Sequence, residues 1–160
     1  MPKRTGTQKL DVGNRPDAYF DRVETVVSEA EIEGNKIIVA KSIEVVWRRG
    51  QLEELGTFWT DDCVNHADPA PGNVGLEALR RYHENFGQAF AGFTSPTIEI
   101  VQQIAEENRV VTQILTQATH SASGKLVSLS TVRIDRLQNG QIAEHWSVAD
   151  MAGLMRQIQA

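Results

Sequence analysis

Residues Glu144 to Asp150 read EHWSVAD, and side chains of these types so close together could move protons. The imidazole of His145 titrates near neutrality, and the carboxylate of Asp150 becomes a usable base where burial raises its pKa. The Ser147 hydroxyl can orient a polar group. An ordinary edge strand has no need of so many ionisable and aromatic groups in a row. Strand alternation puts His145 and Ser147 on one side, and Glu144, Trp146 and Val148 on the other. Just upstream stands Asn139-Gly140, suited to a type I′ hairpin turn in which both central residues need φ > 0. Downstream, Ala152, Leu154, Met155 and Ile158 are spaced for a short closing helix. The chain therefore ends as hairpin, polar-aromatic strand and helix, and chemistry is expected there.

Each candidate has a plainer reading beside it. Asp150 stands directly before the closing helix and Asp is a favoured N-cap, so the capping role weighs more than that of a base, although the two can coexist. His83 lies on the apolar side of a helix, where a lone histidine is more often a hydrogen-bonded core group. Tyr82 beside it reads equally well as packing. Trp47, Trp59 and Trp146 could wall a flat ligand, against a default of core packing. His120, near Ser121 and Ser123, reads as a partly exposed strand end. Arg48-Arg49 and Arg80-Arg81 read as solvated faces or helix-terminus charges. His66-Ala67-Asp68 with a distant His120 or His145 mimics an iron-binding facial triad, but such short strings arise often by chance. HExxH, paired CxxC, P-loop, GxGxxG and GxSxG patterns are absent from the sequence. No metal and no cofactor is expected.

The elements that must position these groups follow from periodicity. Asp17 to Ala30 could form a helix ended by Glu33-Gly34-Asn35. Residues 36–49 carry Val39, Ile43, Val46 and Trp47 on one helical face, with Gly50 as the terminator. A short helix over 51–58 and a short strand over 62–66 come next. A loop with Pro69, Pro71, Gly72 and Asn73 follows. Gly75 opens a long helix to about residue 91, with Leu76, Leu79, His83, Phe86 and Phe90 along one stripe. Strands over 96–106, 109–121 and 125–137 are separated by Glu107-Asn108 and Ser123-Gly124, and Asn139-Gly140 leads to a fourth. Helices first and an antiparallel meander after predict an α+β domain, helices packed on one face of a curved sheet. The division expected is an N-terminal extension over 1–34, disordered and then helical, and a folded domain over 35–160.

Composition narrows the class. The 160 residues are 41% hydrophobic, enough for one core. No apolar run approaches the ~20 residues that span a bilayer, and the basic, polar start does not read as a secretory signal. Lone Cys63 excludes an internal disulfide and suits a reducing cytoplasm. A net charge of −5 argues against a general nucleic-acid binder.

Several segments in order resemble the SnoaL-like polyketide cyclase (ester cyclase) family. These are WRRGQLEELGTFWTDDCVNHADPAPG, GLEALRRYHENFGQAFAGF, TQATHSASGKLV and GQIAEHWSVADMAGLMRQ, together spanning roughly residues 36–158. The resemblance implies a cone-shaped, cystatin-like α+β barrel of the nuclear-transport-factor-2-like superfamily. It further implies an internal pocket, a small-molecule substrate, and a homodimer through the sheet. In the cyclases an Asp on the last strand is the acid/base of an aldol closure. Its position falls on Ser147 here, and that of a pocket His on the preceding strand falls on Arg133. Serine has no usable basicity near neutral pH, so that aldol mechanism is not expected with that base. Arg133 instead suits a carboxylate or enolate. If Ser147 points into the pocket, so does His145, the better base; the plainer alternative is a histidine bonded at a dimer interface. The resemblance also brings the end of the first strand, Asn65-His66, toward the pocket, although His66 could equally sit in a loop turn.

The reading is a cofactor-independent enzyme acting by proton transfer (cyclisation, isomerisation or elimination) on a small apolar carbonyl-bearing or polycyclic metabolite. His145 or Asp150 is the base, and Asn65, His66 or Arg133 stabilises the enolate. Ser147 orients the substrate, and Trp59, Tyr82, His83 and Trp146 are candidate binding residues. The alternatives are water addition to an epoxide, or a non-catalytic ligand-binding or dimerisation module.

Overall fold

The computed structural model describes residues 27–69 and 71–159. The expected N-terminal tail, and residues 17–26 of the helix expected over 17–30, lie outside them; of its remaining residues only Glu29 and Ala30 are helical, at the start of the first helix below.

The first helix, α1, runs Glu29–Ser42 and so passes straight through Gly34 and Asn35, where the sequence suggested a stop. Its start explains the difference. Ser28 Oγ accepts a hydrogen bond from Glu31 N (3.3 Å), and Glu31 Oε2 accepts one from Ser28 N (2.9 Å). This reciprocal capping box satisfies two otherwise orphaned donors. Mid-helix glycine costs only about 1 kcal/mol, which the cap and the burial of Val39 offset. At its end the helix widens into a π turn, Ile43–Arg48, closed by Arg49 N to Glu44 O at 3.1 Å. Ile43 and Val46 of that turn are buried. The segment over 51–58 is helical as expected, as a 3₁₀ turn at Leu52–Glu54 and then α2, Leu55–Phe58.

Strand β1, Trp59–Asn65, leads into α3, Leu76–Ala89. Gly75 before α3 has φ 87°, and an added Cβ would lie 3.2 Å from Asp61 O. Strands β2 (Phe93–Glu106), β3 (Arg109–His120), β4 (Lys125–Gln138) and β5 (Gln141–Ala149) form the antiparallel meander. Its turns obey their local chemistry: Glu107, Asn139 and Gly140 have φ of 49°, 51° and 77°. The sheet order is β1-β5-β4-β3-β2, with β1 parallel to β5. It is an open mixed sheet and not wholly antiparallel, because β5 returns beside a strand that entered before the meander began.

Bulges re-aim side chains. Arg136 pairs with Glu144 but Leu137 pairs with Ile142, so Ala143 is the extra residue. Strict alternation forbids Ile142 and His145 sharing a face, yet both are buried, since the bulge changes the phase between them. Helix α4, Met151–Gln159, closes one end of the fold. Its Leu154 packs with Val127 and Leu129, burial worth roughly 1.5–3 kcal/mol. Gln157 bonds both the amide and the carbonyl of Ser128 at 2.8 Å, extending the ladder where β5 has ended. No described helix is long and apolar enough to cross a membrane.

Candidate active site

The β4–β5 ladder sets Arg133 opposite Ser147 and Asp135 opposite His145. Side chains of directly opposed residues leave a sheet together, so the four form a block of two rows on its inner face. In one row, Asp135 is fully buried and accepts two bonds from Arg133, Nε to Oδ2 at 2.7 Å and Nη2 to Oδ1 at 2.6 Å. His145 Nδ1 lies 3.0 Å from the same Oδ1. The Trp59 indole meets the imidazole edge-on, with centroids 5.7 Å apart at 79°, and holds the ring plane from behind.

The charges decide the tautomer. Burial alone would raise the pKa of Asp135, but the Arg133 guanidinium and the His145 hydrogen bond outweigh it and keep the carboxyl below its ordinary value. An ionised carboxylate only accepts, so His145 Nδ1 carries the proton and Nε2 keeps its lone pair. Burial and then the Arg133 charge lower the pKa of His145, against the opposing pull of Asp135. The ring is thus neutral at pH 7. Its Nε2 is buried and has no hydrogen-bond partner among the described residues. A neutral, oriented imidazole with an unshared lone pair is a general base.

Arg133, His145 and Ser147 of this block line a cavity of about 420 Å³. Tyr82, Thr116, Thr131, Arg133, His145 and Ser147 bring polar groups to it; the rest of the lining is mainly apolar. Rings form one wall. Trp47, from the π turn, meets Phe86 at 5.3 Å, Phe86 stacks on Phe90 at 4.5 Å, and Phe90 meets Phe93 at 5.5 Å. Tyr82 reaches the cavity from α3, on the side of Ser147, and burial raises its pKa. His83 packs edge-on against Trp47 at 4.5 Å. Burial, then the charges of Arg133 and His145, lower its pKa to about 3.

Of the candidate site residues singled out in the sequence, His145, Ser147, Arg133, Tyr82 and Trp47 come together around the cavity, and Trp146 does not line it. His83 and Trp59 pack behind its walls. Asn65 is buried next to His145 in the β1–β5 register, its Oδ1 accepting from Ala67 N at 3.1 Å, but it does not line the cavity. His66 does not reach it either. One residue beyond inward-facing Asn65, it falls by alternation on the outer face, where it stacks on Trp146 at 4.4 Å and meets Glu144 Oε2 at 2.9 Å. Glu144 also accepts from Arg136 at 2.5 Å. Asp150 is exposed and caps α4, its Oδ1 accepting from Gly153 N at 2.8 Å. His120 bonds Ser123 Oγ at 2.8 Å and packs against Phe93.

The likeness to known proteins agrees with this architecture. A family model of SnoaL-like polyketide cyclases matches residues 37–158. The chain belongs to the SnoaL-like polyketide cyclase family. The open α+β cone is that of solved relatives. IdmH of Streptomyces antibioticus, a proposed polyketide cyclase, is 22% identical with a TM-score of 0.67, covering 79% of this chain and 99% of its own. AclR of Streptomyces galilaeus, a proposed hydroxylase, is 24% identical with a TM-score of 0.65, over 80% of this chain and 86% of its own. A SnoaL-like polyketide cyclase of Agrobacterium tumefaciens is 19% identical with a TM-score of 0.62, over 78% and 97%. Identities this low speak for the fold and not for a reaction. No curated protein matches the chain.

Asp135 is the member of the block that the sequence reading missed. A signal was present: Arg133 and Asp135 stand two apart on one strand and share a face. The wall of Phe86, Phe90 and Phe93 also went unread as cavity lining, because phenylalanine in a small domain reads as core.

Proposed function

We propose that this protein is a cofactor-independent enzyme of proton transfer, with His145 as the base, Asp135 as its positioning residue and a small, largely apolar, carbonyl-bearing molecule as substrate. One observation carries the reading: a buried, neutral imidazole, fixed by an ionised carboxylate, has an unpartnered Nε2 and belongs to the lining of a mainly apolar cavity. Such a base needs no proton rearrangement before it acts. His145 is favoured over Asp150 because the latter spends its carboxylate on a helix cap at the surface. Epoxide hydration is less well supported, since the deep carboxylate of Asp135 is engaged by Arg133 and His145 and does not line the cavity. Arg133, beside the base, can hold the oxygen of an enolate. The products that follow are those of cyclisation, isomerisation or elimination.

A homodimer through the outer face of the sheet belongs to the same proposal, supported by exposed Val132, Ile134 and Val148 around the His66–Trp146 stack. Buried Cys63, its thiol pushed up to about 11 by burial, suits a reducing cytoplasm.

The test is hydrogen–deuterium exchange at the acidic carbon of cyclic 1,3-diketones and aryl ketones in D2O, followed by NMR. The wild-type protein is expected to accelerate exchange, and His145→Gln to lower the acceleration by on the order of 10²–10⁴. Exchange no faster than in buffer, with the same ketones bound in the cavity, would leave a carrier in place of an enzyme.

A further inference from the structure

If His145 takes a proton, negative charge must appear on a ligand atom close by, and the other row of the block faces that atom. Arg133 and Ser147 are directly opposed across β4 and β5, and Tyr82 enters the same cavity from α3. All three line the cavity. Arg133 commits Nε and Nη2 to Asp135 and keeps Nη1 outside that fork. Asn65 and His66, the other donors the sequence offered, do not line the cavity.

We propose that the Tyr82 hydroxyl, seconded by Ser147 and Arg133, receives the oxygen on which charge develops, and that the cavity therefore binds enols and phenols as their anions. This rests on His145 as proton acceptor. The ligand O–H bond breaks and its electron pair stays on oxygen, while the proton forms an N–H bond at His145 Nε2. The imidazolium then lies against Asp135, and the oxygen anion against Tyr82, Ser147 and Arg133. Charge balances at each stage. Before transfer Arg133 and Asp135 cancel, and afterwards the imidazolium and the ligand anion cancel as well. The other titratable groups near His145 do not upset this. His83 on α3 stays neutral, with its pKa near 3. His66 lies across the sheet, against Glu144. Preorganised donors in a water-poor site stabilise a developing oxyanion far more than they would in water.

The test uses phenols of graded acidity, 4-nitrophenol and 2-naphthol among them, whose neutral and ionised forms have distinct spectra. With wild-type protein, at about one pH unit below the solution pKa of each probe, the bound form should be the anion. Tyr82→Phe should still bind the probes but lower the ratio of ionised to neutral bound probe by on the order of tenfold or more, a lost hydrogen bond to a charged atom. Neutral bound probes in the wild type, no binding across the series, or a ratio unmoved by Tyr82→Phe would overturn the proposal. Ketone exchange that depends on His145, alongside a ratio unmoved by Tyr82→Phe, would sink the donor role and leave the base. A ratio that falls in Tyr82→Phe but is unchanged in His145→Gln would keep the donor and sink the base.

Discussion

Arg133, Asp135 and His145 form a buried charge cluster whose geometry only makes sense as a unit. Removing Asp135 leaves a guanidinium that is 2% exposed without its carboxylate, and breaking a buried pair in this way costs about 3–5 kcal/mol. Asp135→Asn should therefore shift the denaturant midpoint by that amount and slow ketone exchange, since a neutral amide no longer stabilises the imidazolium. A loss below about 1 kcal/mol would mean that the pair is effectively solvated. At this scale the sequence was legible where alternation alone decides direction, as for His145 and Ser147. It was less so for Asp135, because a strand aspartate normally reads as exposed, and only its distance from Arg133 hinted otherwise. His66 lies outside because it follows inward-facing Asn65 by one residue; alternation could have told the two apart, where the resemblance brought both toward the pocket.

Elements carry the site into register. The β4–β5 ladder builds the block, and the bulge at Ala143 brings His145 to the same side as the core residue Ile142. No residue type announces that bulge, so it could not be read from the sequence. The meander could, since Asn139-Gly140 and Ser123-Gly124 mark its turns plainly. The start of α1 was misplaced because Gly34-Asn35 looks like a terminator when the capping box at Ser28 is not weighed. Helix α4 supplies a test that separates the two candidate bases, His145 and Asp150. Asp150→Ala removes an N-cap and should cost about 1 kcal/mol of stability, with ketone exchange unchanged. Lost exchange at unchanged stability would move the base from His145 to Asp150.

In the whole molecule the two faces of the sheet divide the labour. The inner face holds the cavity; the outer face exposes Val148 at 78%, opposite Val132 in the ladder, with Ile134 opposite Trp146. Exposed apolar side chains grouped on a sheet mark an interaction surface, and a second copy of the chain is the partner proposed. Val148→Asp should convert a dimer to a monomer in sedimentation experiments while changing the stability of the single chain by about 0.5 kcal/mol or less. A wild-type monomer at high protein concentration would remove the dimer from the account.

The central claim, that a neutral His145 held by Asp135 is the base, is tested most directly by ketone exchange measured against pH. Burial and Arg133 place the pKa of His145 below its ordinary 6.5, so the free base is lost only as pH falls through that lowered value. The rate should be flat from pH 7 upward and fall along a single limb below pH ~6.5, and the limb should vanish in His145→Gln. A rate that keeps rising above pH 8, or a limb that survives that substitution, would contradict the account.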